Sequence, residues 1–151
     1  MICDKISTCI QNIDNRMCNN CMVQVGVFPI IKCDENHIQY VLYNKNALLI
    51  LKCHFDGGAV KGGEIKRCDY IVSVPTQKRI YFIELKGKSI NHACEQILAS
   101  IDHLSVIKNL YKVYTRIVCS SVPKISSPKE LILKKQYNLE IKSKYLEENL
   151  L

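Results

Sequence analysis

The sequence predicts an α/β fold, with a mixed central β-sheet flanked by helices. Three observations predict it. Two strand-like runs, Tyr70–Val74 and Arg79–Lys86, enclose a turn-like Pro75-Thr76-Gln77 and so read as a hairpin. The second run carries Ile80, Tyr81, Phe82, Ile83 and Leu85, nearly continuous apolar residues, as expected of a strand covered on both faces. Residues 90–112 follow, with Ile90, Cys94, Ile97, Ile101 and Leu104 at helical spacing, and then a further strand-like run at 114–121. Strand, helix and strand in that order build a mixed sheet with the helix against it.

The remaining elements follow along the chain. In residues 1–22, Ile2, Ile6, Cys9, Ile10, Ile13 and Met17 predict an amphipathic helix ending near Asn19-Asn20. Residues 23–56 are β-rich. Val23, Val25, Val27, Pro29 and Ile31 alternate with other residues, and Asp34-Glu35-Asn36 forms a polar turn. The runs His37–Tyr43 and Ala47–Phe55 are joined by the tight-turn sequence Asn44-Lys45-Asn46. Residues 56–67 hold four glycines and read as a loop. It is not a phosphate-binding P-loop, because the Gly-Lys-Ser/Thr ending is absent. Ser89 or Asn91 can cap the helix of 90–112. Ser127-Pro128-Lys129-Glu130 is a capping box with Pro at the first helical position, and Lys134 and Lys135 close a short helix there. Asn138–Lys144 reads as a last strand, and residues 147–151 as a fraying end.

Length and composition set bounds. The 151 residues, 48% hydrophobic and 23% charged, suit a single globular domain over 1–151. No apolar run is long enough to span a bilayer, and Asp4 and Lys5 interrupt the start where a signal peptide would be apolar. The expectation is a soluble, cytoplasmic protein. The net charge of +7 is uneven. Residues 1–60 carry five basic and five acidic side chains, residues 61–88 seven and three, and residues 89–151 nine and six. A basic surface of this kind draws a polyanion by counterion release. It also serves solubility alone. The nine scattered cysteines read as free thiols in a reducing compartment. Cys18-Asn-Asn-Cys21, together with Cys3 and Cys9, could alternatively supply four zinc ligands.

The chemistry concentrates where the charge does. Glu84 and Lys86 project on one side of a strand, and the hairpin can bring Asp69 beside Glu84. Paired carboxylates hold a hard divalent cation such as Mg²⁺, and a neighbouring lysine can position or deprotonate a water while screening a phosphate. These parts suit phosphodiester hydrolysis. Glu-x-Lys on a strand is also common as a same-face ion pair on a solvated surface. The apolar surroundings favour the chemical reading, since charges ending a buried strand cost free energy unless paired or metal-bound.

Asp69, then Glu84-Leu85-Lys86, then a helix carrying Gln96 together resemble the PD-(D/E)XK nuclease superfamily. The likeness is to its small Glu-x-Lys members, such as Holliday-junction resolvases, restriction endonucleases and RecB-like nuclease domains, and it covers roughly residues 60–120. Cys68 stands where the family often has Pro. Ser100 stands where some RecB-like members carry Tyr, four residues after the Gln. The resemblance implies a restriction-endonuclease-like core and a Mg²⁺- or Mn²⁺-dependent nuclease, with DNA favoured over RNA and endonuclease over exonuclease. It implies Asp69, Glu84 and the carbonyl of Leu85 as metal ligands, with Lys86 and Gln96 acting on the water or phosphate. Lys61, Lys66, Arg67 and Lys88 are expected phosphate contacts, and Glu64 an extra acid. Many such enzymes are homodimers. A binding protein that keeps the fold without catalysis is the alternative.

Overall fold

In the computed structural model, residues 23–55, 67–86, 89–122 and 126–150 are described, without the side chains of Val23, Lys86 and Val106. Nine strands fall in two mixed sheets, with three α-helices, among these residues. The strands are β1 (Val23–Gly26), β2 (Ile30–Glu35), β3 (Ile38–Tyr43), β4 (Ile50–His54), β5 (Tyr70–Val74), β6 (Arg79–Lys86), β7 (Lys112–Cys119), β8 (Leu139–Ser143) and β9 (Tyr145–Asn149). The helices are α1 (Ile90–His103), α2 (Ser105–Leu110) and α3 (Pro128–Gln136).

The larger sheet has the order β1-β4-β5-β6-β7-β8. Strands β4, β5 and β6 are antiparallel neighbours, whereas β6, β7 and β8 run parallel. Parallel neighbours need crossovers, which α1 and α2 supply between β6 and β7, and α3 between β7 and β8. Both expected strands of the central hairpin have the predicted bounds. Pro75–Gln77 forms a short 3-10 turn that Lys78 leaves in a left-handed conformation, φ 50°.

Two apolar cores lie on the two faces of this sheet. On one, Ile71, Ile80, Phe82 and Ile117 meet Ile97, Ile101, Ile107 and Leu133 of the helices. On the other, Val72, Tyr81, Ile83, Leu85 and Val118 meet Ile31, Tyr40, Leu42 and Leu146 of the smaller sheet, β2-β3-β9. That is why β6 reads as an unbroken apolar run.

The structure departs from the sequence expectations in four places. The turn between β2 and β3 is Asn36-His37, one step later than expected, with both residues left-handed as a two-residue hairpin turn requires. The helix expected over 90–112 breaks at Leu104, and β7 already begins at Lys112. The stretch expected at Ala47–Phe55 forms a strand only over Ile50–His54. Within the end expected to fray, 147–151, residues 147–149 instead belong to β9, which pairs in parallel with β3. Its charges are held by distant partners. Glu148 binds Arg116 in a two-pronged ion pair and accepts from Tyr40, while Glu147 accepts from Tyr43 and Tyr145. The helix expected before Asn19 and the glycine loop of 56–66 lie outside the described residues. No described helix is long and apolar enough to cross a membrane.

Candidate active site

The hairpin register sets the centre of the site. Tyr70 pairs with Ile83, so the next antiparallel position places Asp69 opposite Glu84. Directly opposed residues of an antiparallel pair share a face. Phe82 and Ile80 belong to the helix-side core, so alternation along β6 puts Glu84 on that same face, towards α1. The Asp69 carboxylate is fixed at short range, since its Oδ2 accepts a hydrogen bond from the Leu85 amide at 2.8 Å. Its backbone is fixed as well, because its carbonyl accepts from Phe55 N at 2.9 Å.

Both acids are buried. Glu84 keeps 1% of its surface and Asp69 7%. Withdrawing two carboxylates from water costs several kcal/mol each unless a cation, a proton or donors compensate, roughly as for buried ion pairs. Their fields are felt nearby. The fully buried Cys68 thiol is held well above its usual range, first by desolvation, then by Glu84 and, more weakly, by Asp69. This thiol is therefore neutral and inert at ordinary pH, which removes it as a nucleophile.

A polar anchor ties α1 to this point. Ser100 Oγ accepts from Cys68 N at 2.7 Å and donates to the Gln96 carbonyl at 2.8 Å. One buried hydroxyl thus links the residue before Asp69 to the helical turn of Gln96. Helix α1 starts in a defined place because Ser89 Oγ accepts from His92 N. The Gln96 side chain is partly buried, and its Oε1 has no hydrogen-bond donor among the described residues. A buried acceptor of this kind calls for a donor from outside that set.

The structure therefore brings Asp69, Glu84, the Leu85 backbone and the Gln96 turn together. Lys86 ends β6, with its backbone opposite Cys119, but its side chain lies outside the description. Lys61, Lys66, Lys88, Glu64 and the cysteines Cys3, Cys9, Cys18 and Cys21 also lie outside the described residues. Arg67 is described and half-buried, immediately before Cys68. His37 is exposed at its turn, and His54 stacks on Tyr70 with ring centroids 4.9 Å apart.

Sequence reasoning missed Ser100. It registered only as the residue standing in place of a tyrosine. The available signal was its position one helical turn after Gln96, next to Ile101 on the apolar stripe, where a hydroxyl needs a partner.

Two carboxylates and a main-chain carbonyl are the oxygen donors that Mg²⁺ or Mn²⁺ takes. Burial of both acids fits such a cation, because its charge offsets theirs. Among the described residues, no group of three or more His, Cys, Asp and Glu side chains is placed to hold an ion. Comparison with protein-family models, curated proteins and solved structures yields no match, so the site stands on its own geometry.

Proposed function

We propose that this protein is a metal-dependent nuclease, hydrolysing phosphodiester bonds in nucleic acid, with DNA the favoured substrate. The observation that carries the reading is the buried pair Asp69 and Glu84 at the end of the central hairpin, one residue past the Tyr70–Ile83 pair on each strand, with Asp69 bonded to Leu85 N. The β4-β5-β6 meander, followed by α1 and the parallel strand β7, supports a restriction-endonuclease-like core. The excess of basic side chains from residue 61 onward supports a polyanionic partner.

Asp69, Glu84 and the carbonyl of Leu85 would hold Mg²⁺ or Mn²⁺. When bound, the ion supplies positive charge against that developing on the phosphate. The hydrogen bond from Leu85 N orients the Asp69 carboxylate, so the pair is preorganised rather than assembled on binding. The amine of Lys86 positions the attacking water or takes its proton, and its charge screens the phosphate. The Gln96 amide holds the water or a phosphate oxygen.

The test is a panel of labelled single-stranded, double-stranded and branched DNA and RNA, incubated with Mg²⁺ or Mn²⁺. Wild-type protein is expected to cleave at least one member. Asp69→Asn, Glu84→Gln and Lys86→Ala are each expected to lose roughly 10²–10⁴-fold in rate, the range for removing a positioned acid–base group. Folding and most nucleic-acid binding should persist. Full metal-dependent activity in all three variants refutes the assignment. Salt-sensitive binding with no cleavage of any substrate would instead identify a binding protein.

A further inference from the structure

Strand alternation gives β6 two functional faces at its end. Glu84 belongs to the helix side, whereas Leu85 lies in the core on the other side, against the smaller sheet. There Leu85 lines a cleft of about 310 Å³, together with Glu35, Asn36, His37 and Ile38 of the β2–β3 hairpin, Ser120 just past β7, and Lys144 between β8 and β9. That volume is at the small end of the range for ligand sites, roughly 300–1,000 Å³. The cleft lies outside the carboxyl ends of the parallel strands β6 and β7, where open α/β sheets place their ligands. A second hollow of about 500 Å³ runs over residues 34–39 of the same hairpin and touches neither β6 nor β7.

The lining has the two-sided chemistry of a nucleobase. Ile38 and Leu85, both almost wholly buried, show only their edges and form an apolar floor for a base. His37 adds an imidazole ring, and Asn36, Ser120 and Glu35 offer hydrogen-bonding groups for base edges. Lys144 places a cation at the rim for a phosphate. The walls are also set in shape. Asn36, His37 and Lys144 all hold left-handed backbone, with φ of 48°, 65° and 65°. The Lys144 turn is pinned on both sides, its amide donating to the Cys119 carbonyl at 2.7 Å and its carbonyl accepting from Gln39 N at 3.1 Å. Left-handed non-glycine residues cost free energy and persist where surrounding structure holds them.

We propose that this cleft receives a nucleobase of the substrate strand, beside the phosphate engaged at Asp69 and Glu84. The proposal rests on the nuclease reading for its placement, because Glu84 and Leu85 are consecutive on β6 and a strand crossing the end of the sheet passes both faces. It makes the protein a reader of an unstacked base rather than of the backbone alone.

The experiment uses the full chain and thymidine 5′-monophosphate as probe, without metal, followed by the backbone amide resonances of isotope-labelled protein. The control ligand is deoxyribose 5-phosphate, which has no base. Expected are saturable shifts at Asn36, His37, Ser120 and Lys144, at least fivefold weaker binding of the base-free control, and at least fivefold weaker binding of the nucleotide by His37→Gly/Lys144→Gly. Glycine suits both left-handed positions, so this variant removes the side chains while keeping the turns. Shifts confined to other residues, equal binding of the base-free control, or unchanged affinity in the double variant would overturn the proposal. Cleavage by the wild-type protein is measured separately. Cleavage without nucleotide shifts sinks the base site alone, whereas shifts without cleavage on any substrate sink the nuclease reading and keep the base site.

Discussion

Replacing Ser100 by alanine removes a buried hydroxyl that joins α1 to the residue before Asp69. The loss falls on Cys68 N, which donates to Ser100 Oγ at 2.7 Å in a place closed to water. Leaving a buried amide unsatisfied costs about 1–3 kcal/mol. The Gln96 carbonyl loses less, because in a helix it also accepts the amide four residues on. Alanine regains roughly 0.5 kcal/mol of helix propensity over serine. The net expectation is about 1–2 kcal/mol of lost stability, or a melting temperature lower by roughly 2–8 °C for a chain of this size. Urea denaturation followed by circular dichroism measures the first quantity, and a thermal melt the second. Cys68→Ala is the comparison, because it keeps the amide and its bond to Ser100 while losing the buried thiol and its 3.5 Å bond to the Tyr70 carbonyl. The anchor also bears on catalysis. Asp69 is held through its carboxylate by Leu85 N, through its carbonyl by Phe55 N, and through its predecessor by Ser100. Removing the third hold is expected to lower metal-dependent cleavage about tenfold, since small misplacements near reacting groups carry penalties of this order or larger. A denaturation midpoint equal to wild type, with undiminished cleavage, would refute the anchoring argument.

Two further perturbations probe the scaffold. Glu148→Ala leaves the buried Arg116 guanidinium without its carboxylate and should destabilise the fold by roughly 3 kcal/mol. That is the low end for such a pair, because Arg116 keeps the carbonyls of Thr115 and Asn138; a loss below 1 kcal/mol in urea titration would contradict it. Burial pushes the Cys33 thiol from its ordinary 9.0 up to about 12. Above pH 9 the unfolded chain releases that proton while the folded chain keeps it, so stability falls as pH rises from 9 to 12, by about 1.4 kcal/mol per unit from this group. Urea midpoints compared at pH 8 and 10.5 should show a smaller alkaline loss in Cys33→Ala than in wild type, and equal losses would discount the thiol.

Much of the centre was legible because its signals are local. Pro75 with a turn-forming neighbour sets one end of the hairpin, and unbroken apolar residues set β6. The register then follows from pairing, so the sequence alone brings Asp69 towards Glu84. The caps at Ser89 and Ser127 were legible for the same reason, as a side-chain oxygen three residues from a free amide. The break at Leu104 was not, because Leu104 and Ile107 continue the helical stripe and both are buried. The break is in the backbone of Leu104 itself, at φ −111° and ψ 43°, after which α2 carries the chain to Leu110 before β7. Strand β9 was hidden by its acids, which look solvated until Arg116, Tyr40 and Tyr43 are placed opposite them.

By itself the sequence determined an acid-bearing hairpin, the helix after it and a basic second half, because alternation, helical period and turn chemistry act over a few residues. Only the tertiary structure decided that both acids are buried, that Ser100 anchors the residue before Asp69, and that a second sheet covers the far face of β6 and forms a cleft there. Those outcomes come from contacts between segments far apart in the chain, where pairing and desolvation act and no local pattern records them.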